Sequence, residues 1–407
     1  MKEDFALRNK TGYVDLTQLA FSAVTVLYFA LITAINQVKS SILSGAFYAV
    51  MFLGVVVYFA TKRSFGMGRI LLYAAGAVVC GVCNIIFIEN LSSVKLLILV
   101  LSIFLVVFFT DEAVHENSFR IAFDLNLLVI TARILLRGRS APVFVDSSNN
   151  YVSVHLLAPL VIYYSLLDAR GKKMPLLPAI LSWGLSLLAG GRGGLIACTI
   201  LVGGLLISRF LADETTRRER VILGLLLFVI LVPVMVIILE LFTSRFTGLY
   251  VVSRFLDKGL DGGGRLDCWT EYIQKTLQSG TRILFGTPLD EVGWVIYYKG
   301  NLHNSYLFVH AYLGIGGLIF LLVMLVRAII YGIRMRKWIY IWCILAFSFR
   351  ALTDHVFGVN RLSVVILTLI LLPDVLRWRE VRKKKKESFH ANTCSDPGPC
   401  RIEGNSQ

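Results

Sequence analysis

The stretch "GNLHNSYLFVHAYLGIGGLIF", residues 300–320, begins a long apolar segment with a polar pair, His303-Asn304. The apolar run continues to about residue 332, and roughly 20 such residues suffice to cross a hydrocarbon core about 30 Å thick. The rest of the 407-residue chain reads the same way. It is 56% hydrophobic and 16% charged, with a mean hydropathy of +0.71. A water-facing fold cannot hide that much apolar surface. About twelve segments have the length and character of membrane helices, near 16–35, 41–60, 70–88, 94–110, 119–136, 151–167, 175–190, 192–211, 221–242, 304–332, 338–352 and 359–376. The segment at 119–136 is the weakest, because it carries Arg120, Asp124 and Arg133. The pattern predicts an all-α, polytopic transmembrane bundle of about twelve spans.

Lys and Arg in the short loops orient such a bundle. "RWREVRKKKKE" after the last span, "GIRMRKW" (332–338), "RFLADETTRRER" (209–220), "ARGKK" (169–173) and "TKRSFGMGR" (61–69) all fall on the cytoplasmic side. Both termini are then cytoplasmic, with no cleavable signal peptide expected. "RGRS" at 137–140 dissents. These loops and the tail account for much of the +15 net charge, so attraction to anionic lipid explains it better than nucleic acid. The seven cysteines show no metal-site spacing and no pair that could form an external disulfide.

There is no internal repeat. Residues 1–376 read as one integral membrane unit, and 377–407 as a basic, then disordered cytoplasmic tail. One connection, 243–303, is long and extracytoplasmic by the orientation rule. Within it Leu266, Trp269, Ile273 and Leu277 share one face of an amphipathic helix, stopped by Gly280 and lying on the membrane or on the bundle.

Polar features gather on this side. In "LLAGGRGGLIAC" (187–198) Arg192 stands among four glycines, where free backbone N–H groups could add to an anion site. A tight turn with a snorkelling Arg is the plainer alternative. In "DGGGRLDCW" (261–269) a glycine run leads into Arg265 at a helix start, as in phosphate cradles, although a hinge before a surface helix fits equally. Arg245 and Arg254 lie nearby. His303 is a titratable base at a helix mouth, and His310 follows seven residues on with no further metal-ligand spacing, so no metal is expected. Gly314, Gly316 and Gly317 suit close helix packing. "RALTDHVFGVNR" (350–361) offers Asp354 and His355 at the next turn on the same side. Two cations and a base beside a membrane suit a lipid diphosphate and a hydroxyl nucleophile.

His303, Asn304, nine residues, Gly314, two residues and Gly317 resemble the motif of the O-antigen ligase and polymerase superfamily. "GGRGGLIA" is similar to that family's Ser-Arg-Gly segment with Gly191 in place of Ser, and "GGGRLDCW" followed by "ILFGTP" to its Gly-Arg-x-x-x-Trp and Phe-Gly stretches. The likeness is best over about 180–330. It implies a GT-C-type glycosyltransferase of the bacterial inner membrane, acting outside the cytoplasm without metal or other cofactor on glycans carried by undecaprenyl diphosphate. Arg192 and Arg265 would then bind the diphosphate, and His303 would be catalytic, activating or orienting the acceptor hydroxyl. From their place in the chain rather than from the resemblance, Asn304, Arg245 and Arg254 are further candidate contacts, and Asp354 and His355 secondary ones, where a polar inter-helix turn fits equally. Partners implied are a flippase and a chain-length regulator. A polymerase of surface polysaccharide is the preferred activity. A ligase that transfers finished glycan is the alternative, and a transporter of a lipid-linked glycan is the rival from another class. Spans with few central charges favour an enzyme over the transporter.

Overall fold

The computed structural model describes residues 16–61, 67–89, 96–111, 114–137, 143–144, 149–211, 216–243, 264–298, 300–358 and 360–393, with backbone only for 61, 67–69, 137, 231–243, 379–380 and 382–393. Among the described residues most are helical and none is in a strand. Each of the twelve apolar segments falls on a helix: α1 (Leu16–Val38), α2 (Ser41–Thr61), α3 (Met67–Ile88), α4 (Leu96–Thr110), α5 (Asn117–Arg137), α6 (Tyr151–Ala169), α7 (Leu177–Leu188), α8 (Arg192–Phe210) and α9 (Arg217–Thr243), and, after the loop, α13 (Ser305–Arg334), α14 (Trp338–Leu352) and α15 (Ser363–Thr393). The loop contributes α10 (Arg265–Leu277), α11 (Gly280–Phe285) and α12 (Gly293–Tyr297).

Among the described residues, six helices are long and apolar enough to cross a membrane: α1, α2, α3, α6, α8 and α13. α4, α7 and α14 are apolar but shorter. α5 carries an Arg120–Asp124 ion pair at 2.9 Å on its surface. α6 is apolar on every side and buried along nearly its whole length, which makes it the axle of the bundle. α14 packs on α8 and α6, α15 on α4, and α1 on α2 and α5. Apolar side chains such as Leu71, Val79, Ile86, Ile319 and Val323 remain exposed, as lipid-facing residues must. The chain is a helical membrane protein.

Two polar ends cap this apolar body. At one, Asp168 accepts from Tyr340 N at 3.0 Å, and Glu116 pairs with Arg170 and Lys172. These are turns that the charge pattern groups on one side. At the other end, turns around 150, 192, 265, 303 and 353 meet one another. α15 runs beyond the predicted end at 376, through the basic stretch to Thr393, because Lys, Arg and Glu are good helix formers.

Of the two covers that the sequence allowed for the apolar stripe of α10, the structure excludes the bundle for all but Trp269, which packs in the loop and donates to Leu302 O at 2.7 Å. Leu266, Ile273 and Leu277 are exposed, and it is Cys268, Tyr272 and Thr276 that pack inward. The rest of the apolar stripe therefore faces away from the bundle. Gly280 does not stop α10, which ends at Leu277. It opens α11 instead, behind the Ser279 cap that accepts from Thr281 N at 3.2 Å.

α11 is locked into a kink of α13. Gly314 takes φ 65° and ψ −170° inside that helix, and a Cβ there would stand 2.0 Å from Leu284 O. His310 bridges the same parts: its Nδ1 accepts from Tyr272 Oη at 2.7 Å while Nε2–H donates to Ile283 O at 3.0 Å. Asn84 of α3 donates to Ala311 O at 3.0 Å. His310 is thus a structural latch, and the close approach that Gly314 permits is to a loop helix. Gly314→Ala combines positive-φ strain with a backbone clash, so it should destabilise by about 2–4 kcal/mol. Thermal unfolding of the purified chain would show this as a clear loss, and an unchanged midpoint would mean that the lock is not tight.

Candidate functional site

The polar cluster at the loop end of the bundle is built on the turn 353–358 between α14 and α15. Ser305, the first residue of α13, clamps this turn: its Oγ donates to Asp354 O at 2.8 Å and accepts from Val356 N at 2.8 Å and Phe357 N at 3.2 Å. Asp354 is 1% exposed. Its Oδ2 accepts from Arg350 Nη2 at 3.0 Å, its Oδ1 accepts from His355 N at 3.0 Å, and His303 Nδ1 lies 3.4 Å from the same Oδ1. Burial alone would raise this carboxyl. The Arg350 charge, then His303 and Arg265, outweigh it and hold Asp354 well below the ordinary carboxylate range.

Arg350 occupies the centre, also 1% exposed. Besides Asp354 it donates to Asn150 O at 3.0 Å, Thr353 Oγ1 at 3.0 Å and Ser153 Oγ at 3.2 Å, tying α14 to the start of α6. The sequence reading quoted Arg350 but gave it no role. A cation four residues before an Asp in an apolar helix is the signal that could have found it.

His303 holds φ +50°, in the left-handed region that few non-glycine residues adopt. The strain is fixed from both sides: Asn301 Oδ1 accepts from His303 N at 2.8 Å, and Asn304 caps α13 by accepting from Tyr306 N at 2.9 Å and Leu307 N at 3.2 Å. Asn304 therefore positions the imidazole through the helix start. Tyr298 meets the ring edge-on at 5.1 Å. Nδ1 makes no hydrogen bond among the described residues. The Asp354 carboxylate at 3.4 Å is placed to accept from it if the proton of a neutral ring sits there, which would leave Nε2 as the acceptor.

Arg265, first residue of α10, donates from Nη1 to Thr353 O at 2.8 Å, directly beside Asp354. Burial holds its guanidinium below the ordinary value, so an arriving anion would relieve a desolvated cation. Arg192 opens α8 next to Gly193 and Gly194, whose backbones press on Thr353 and Ser153: a Cβ would lie 2.4 Å from Thr353 Oγ1 and 2.1 Å from Ser153 Oγ. At Gly191 a Cβ would be 3.1 Å from Asn150 Cα. That crowding is a physical reason for glycine where the resembled motif has serine. No side-chain hydrogen bond is made by Gly191, the residue that caps α8, and the N-terminus of this helix lies at the cluster end. The structure thus brings His303, Asp354, Arg265 and the Arg192 turn together. His355 stacks on Phe308 at 3.6 Å, a packing contact beside the cluster. Arg245 and Arg254 lie outside the described residues.

Next to the cluster is an apolar cavity of about 340 Å³ between α3, α4, α13 and α15. Phe357 and Gly358, on the turn that carries Asp354, help to close it. It opens to the lipid-facing surface, where Leu72 is 67% and Phe320 45% exposed.

No family model, curated protein or solved structure matches the chain. Residue chemistry and geometry carry the functional reading.

The pH response of the fold follows from Asp354. Its folded pKa is depressed, so its stabilisation is complete above the unfolded value of about 4 and disappears as pH falls through and below that value. Asp354→Asn should flatten the acid limb of a stability–pH curve measured between neutral pH and about pH 3. An acid limb as steep in the variant as in the wild type would assign the effect to other carboxylates.

Proposed function

We propose that the chain is a metal-independent glycosyltransferase that joins lipid-diphosphate-linked repeat units of a bacterial surface polysaccharide. One observation carries this reading: an Asp354–His303 pair stands with Arg265 and the Arg192 helix start at one end of an apolar bundle. The finer topology belongs to the same proposal: about twelve crossings in a GT-C-like arrangement, both termini cytoplasmic, with the cluster outside the inner membrane.

The chemistry follows from charge. Arg350 is matched by Asp354, and Arg265 together with the Arg192 helix start would meet the charge of a diphosphate. Matching charge at the leaving group stabilises it without a protonating acid. A sugar hydroxyl is a weak nucleophile, and His303 Nε2 would take its proton as the new bond to the anomeric carbon forms. Asp354 would stabilise the resulting imidazolium. Attack from the face opposite the diphosphate inverts the anomeric configuration, and a retained linkage would refute this single displacement. The neighbouring apolar cavity suits part of a polyprenyl chain whose headgroup rests on the cluster.

The test is the surface glycan of a strain lacking the protein, run as a size ladder and probed for its carrier. Single repeat units on the final acceptor identify a polymerase. Full-length chains accumulating on the diphosphate lipid identify a ligase. An unchanged ladder and carrier would overturn glycosyl transfer and favour a transporter.

A further inference from the structure

α10 presents three different faces. Cys268, Tyr272 and Thr276 pack inward, and Leu266, Ile273 and Leu277 form the exposed apolar stripe. The third face, with Asp267, Thr270, Glu271 and Gln274, is polar and forms one wall of an open cleft of about 800 Å³. The opposite wall is aromatic: Trp294 and Tyr297 of α12, the latter 73% exposed. Glu271 fixes the two walls, since its carboxylate oxygens accept from Gly293 N at 2.9 Å and Trp294 N at 3.0 Å.

An aromatic wall separates the cleft from the cluster. Trp294 stacks on Tyr298 at 6.0 Å, and Tyr298 in turn touches His303. A Cβ on Gly264, the residue before Arg265, would lie 3.0 Å from Tyr298 Oη and 3.1 Å from the Trp294 ring. The aromatic wall thus stands between the cleft and the two residues Arg265 and His303.

We infer that this cleft binds a neutral oligosaccharide and serves as the subsite for the acceptor glycan. Exposed aromatic faces suit the C–H faces of a pyranose, because the electron-rich ring meets polarised hydrogens over a large apolar area. Carboxylate, amide and hydroxyl groups on the facing helix suit sugar hydroxyls, each of which both donates and accepts. Two carboxylates disfavour phosphate or an anionic headgroup, which separates this surface from the exposed apolar stripe a quarter-turn away. The inference rests on the glycosyl-transfer reading for the word acceptor, whereas the binding itself does not.

The experiment uses the full chain in nanodiscs, with neutral oligosaccharides released by mild acid from the host's own surface polymer as the probe. Saturation-transfer NMR reads contact between protein and sugar ring protons. Tyr297 and Gln274 are exposed, so Tyr297→Ala/Gln274→Ala should fold normally and weaken binding by about tenfold. His303→Ala should bind as the wild type does, since the cleft lies beyond the ring. Equal binding by the double variant, or no transfer signal from the wild type, would overturn the assignment. So would quenching by brominated lipid of a fluorophore placed at Tyr297→Cys, because that result puts the cleft in the membrane. If the probe binds but the deletion strain keeps a normal ladder, the cleft stands and glycosyl transfer falls. A changed ladder with no binding gives the reverse.

Discussion

His303→Ala should lower the rate of glycosyl transfer by about 10²–10⁴-fold, the range that a positioned general base contributes. The fold should hardly notice. Asp354 keeps Arg350 at 3.0 Å and the His355 amide at 3.0 Å, so losing the imidazole leaves no uncompensated buried charge. The backbone at 303 already tolerates φ +50° with a Cβ present, so alanine adds no new strain. Activity and stability therefore separate at this position. Asp354→Asn should reduce transfer as well, because an amide neither fixes the Nδ1–H tautomer with charge nor stabilises the imidazolium. Transfer within about threefold of wild type in His303→Ala would remove the general base from the mechanism.

Arg350→Ala should have the opposite profile, with a large loss of stability and activity lost along with it. Four hydrogen bonds end on this guanidinium, and Asp354 would be left buried without its strongest partner. Breaking one side of a buried pair costs about 3–5 kcal/mol. Lysine should not rescue it, because one ammonium cannot reach Ser153, Asn150, Thr353 and Asp354 together. Arg350→Ala/Asp354→Ala should recover part of the loss, since no buried charge is then left alone. Thermal unfolding of the four purified forms completes the cycle. Strict additivity would show that the pair is not coupled.

The helices were legible in the sequence because bilayer length and apolar runs are local properties. The same holds for the shared end of Arg192, Arg265, His303 and Asp354, which the Lys/Arg bias of the loops implies. Arg350 was not legible in the same way, since three of its partners come from Asn150, Ser153 and Asp354, two of them about 200 residues away. α10 was legible only as two alternatives. Amphipathic patterning gives the apolar stripe but not what covers it, and in a protein whose outer surface is apolar that stripe need not face the core. His310 carried no sequence signal of its latch role, because both of its partners lie on other helices.

The most direct test is transfer by the purified chain itself. Lipid extract from the deletion strain supplies the accumulated diphosphate-linked glycan, and the protein is added in proteoliposomes. Wild type should convert that pool to longer lipid-linked products or move it to an added acceptor, without metal, and His303→Ala should leave it nearly unchanged. A wild-type chain that unfolds cooperatively yet leaves the lipid-linked pool untouched would contradict glycosyl transfer at the Asp354–His303 cluster.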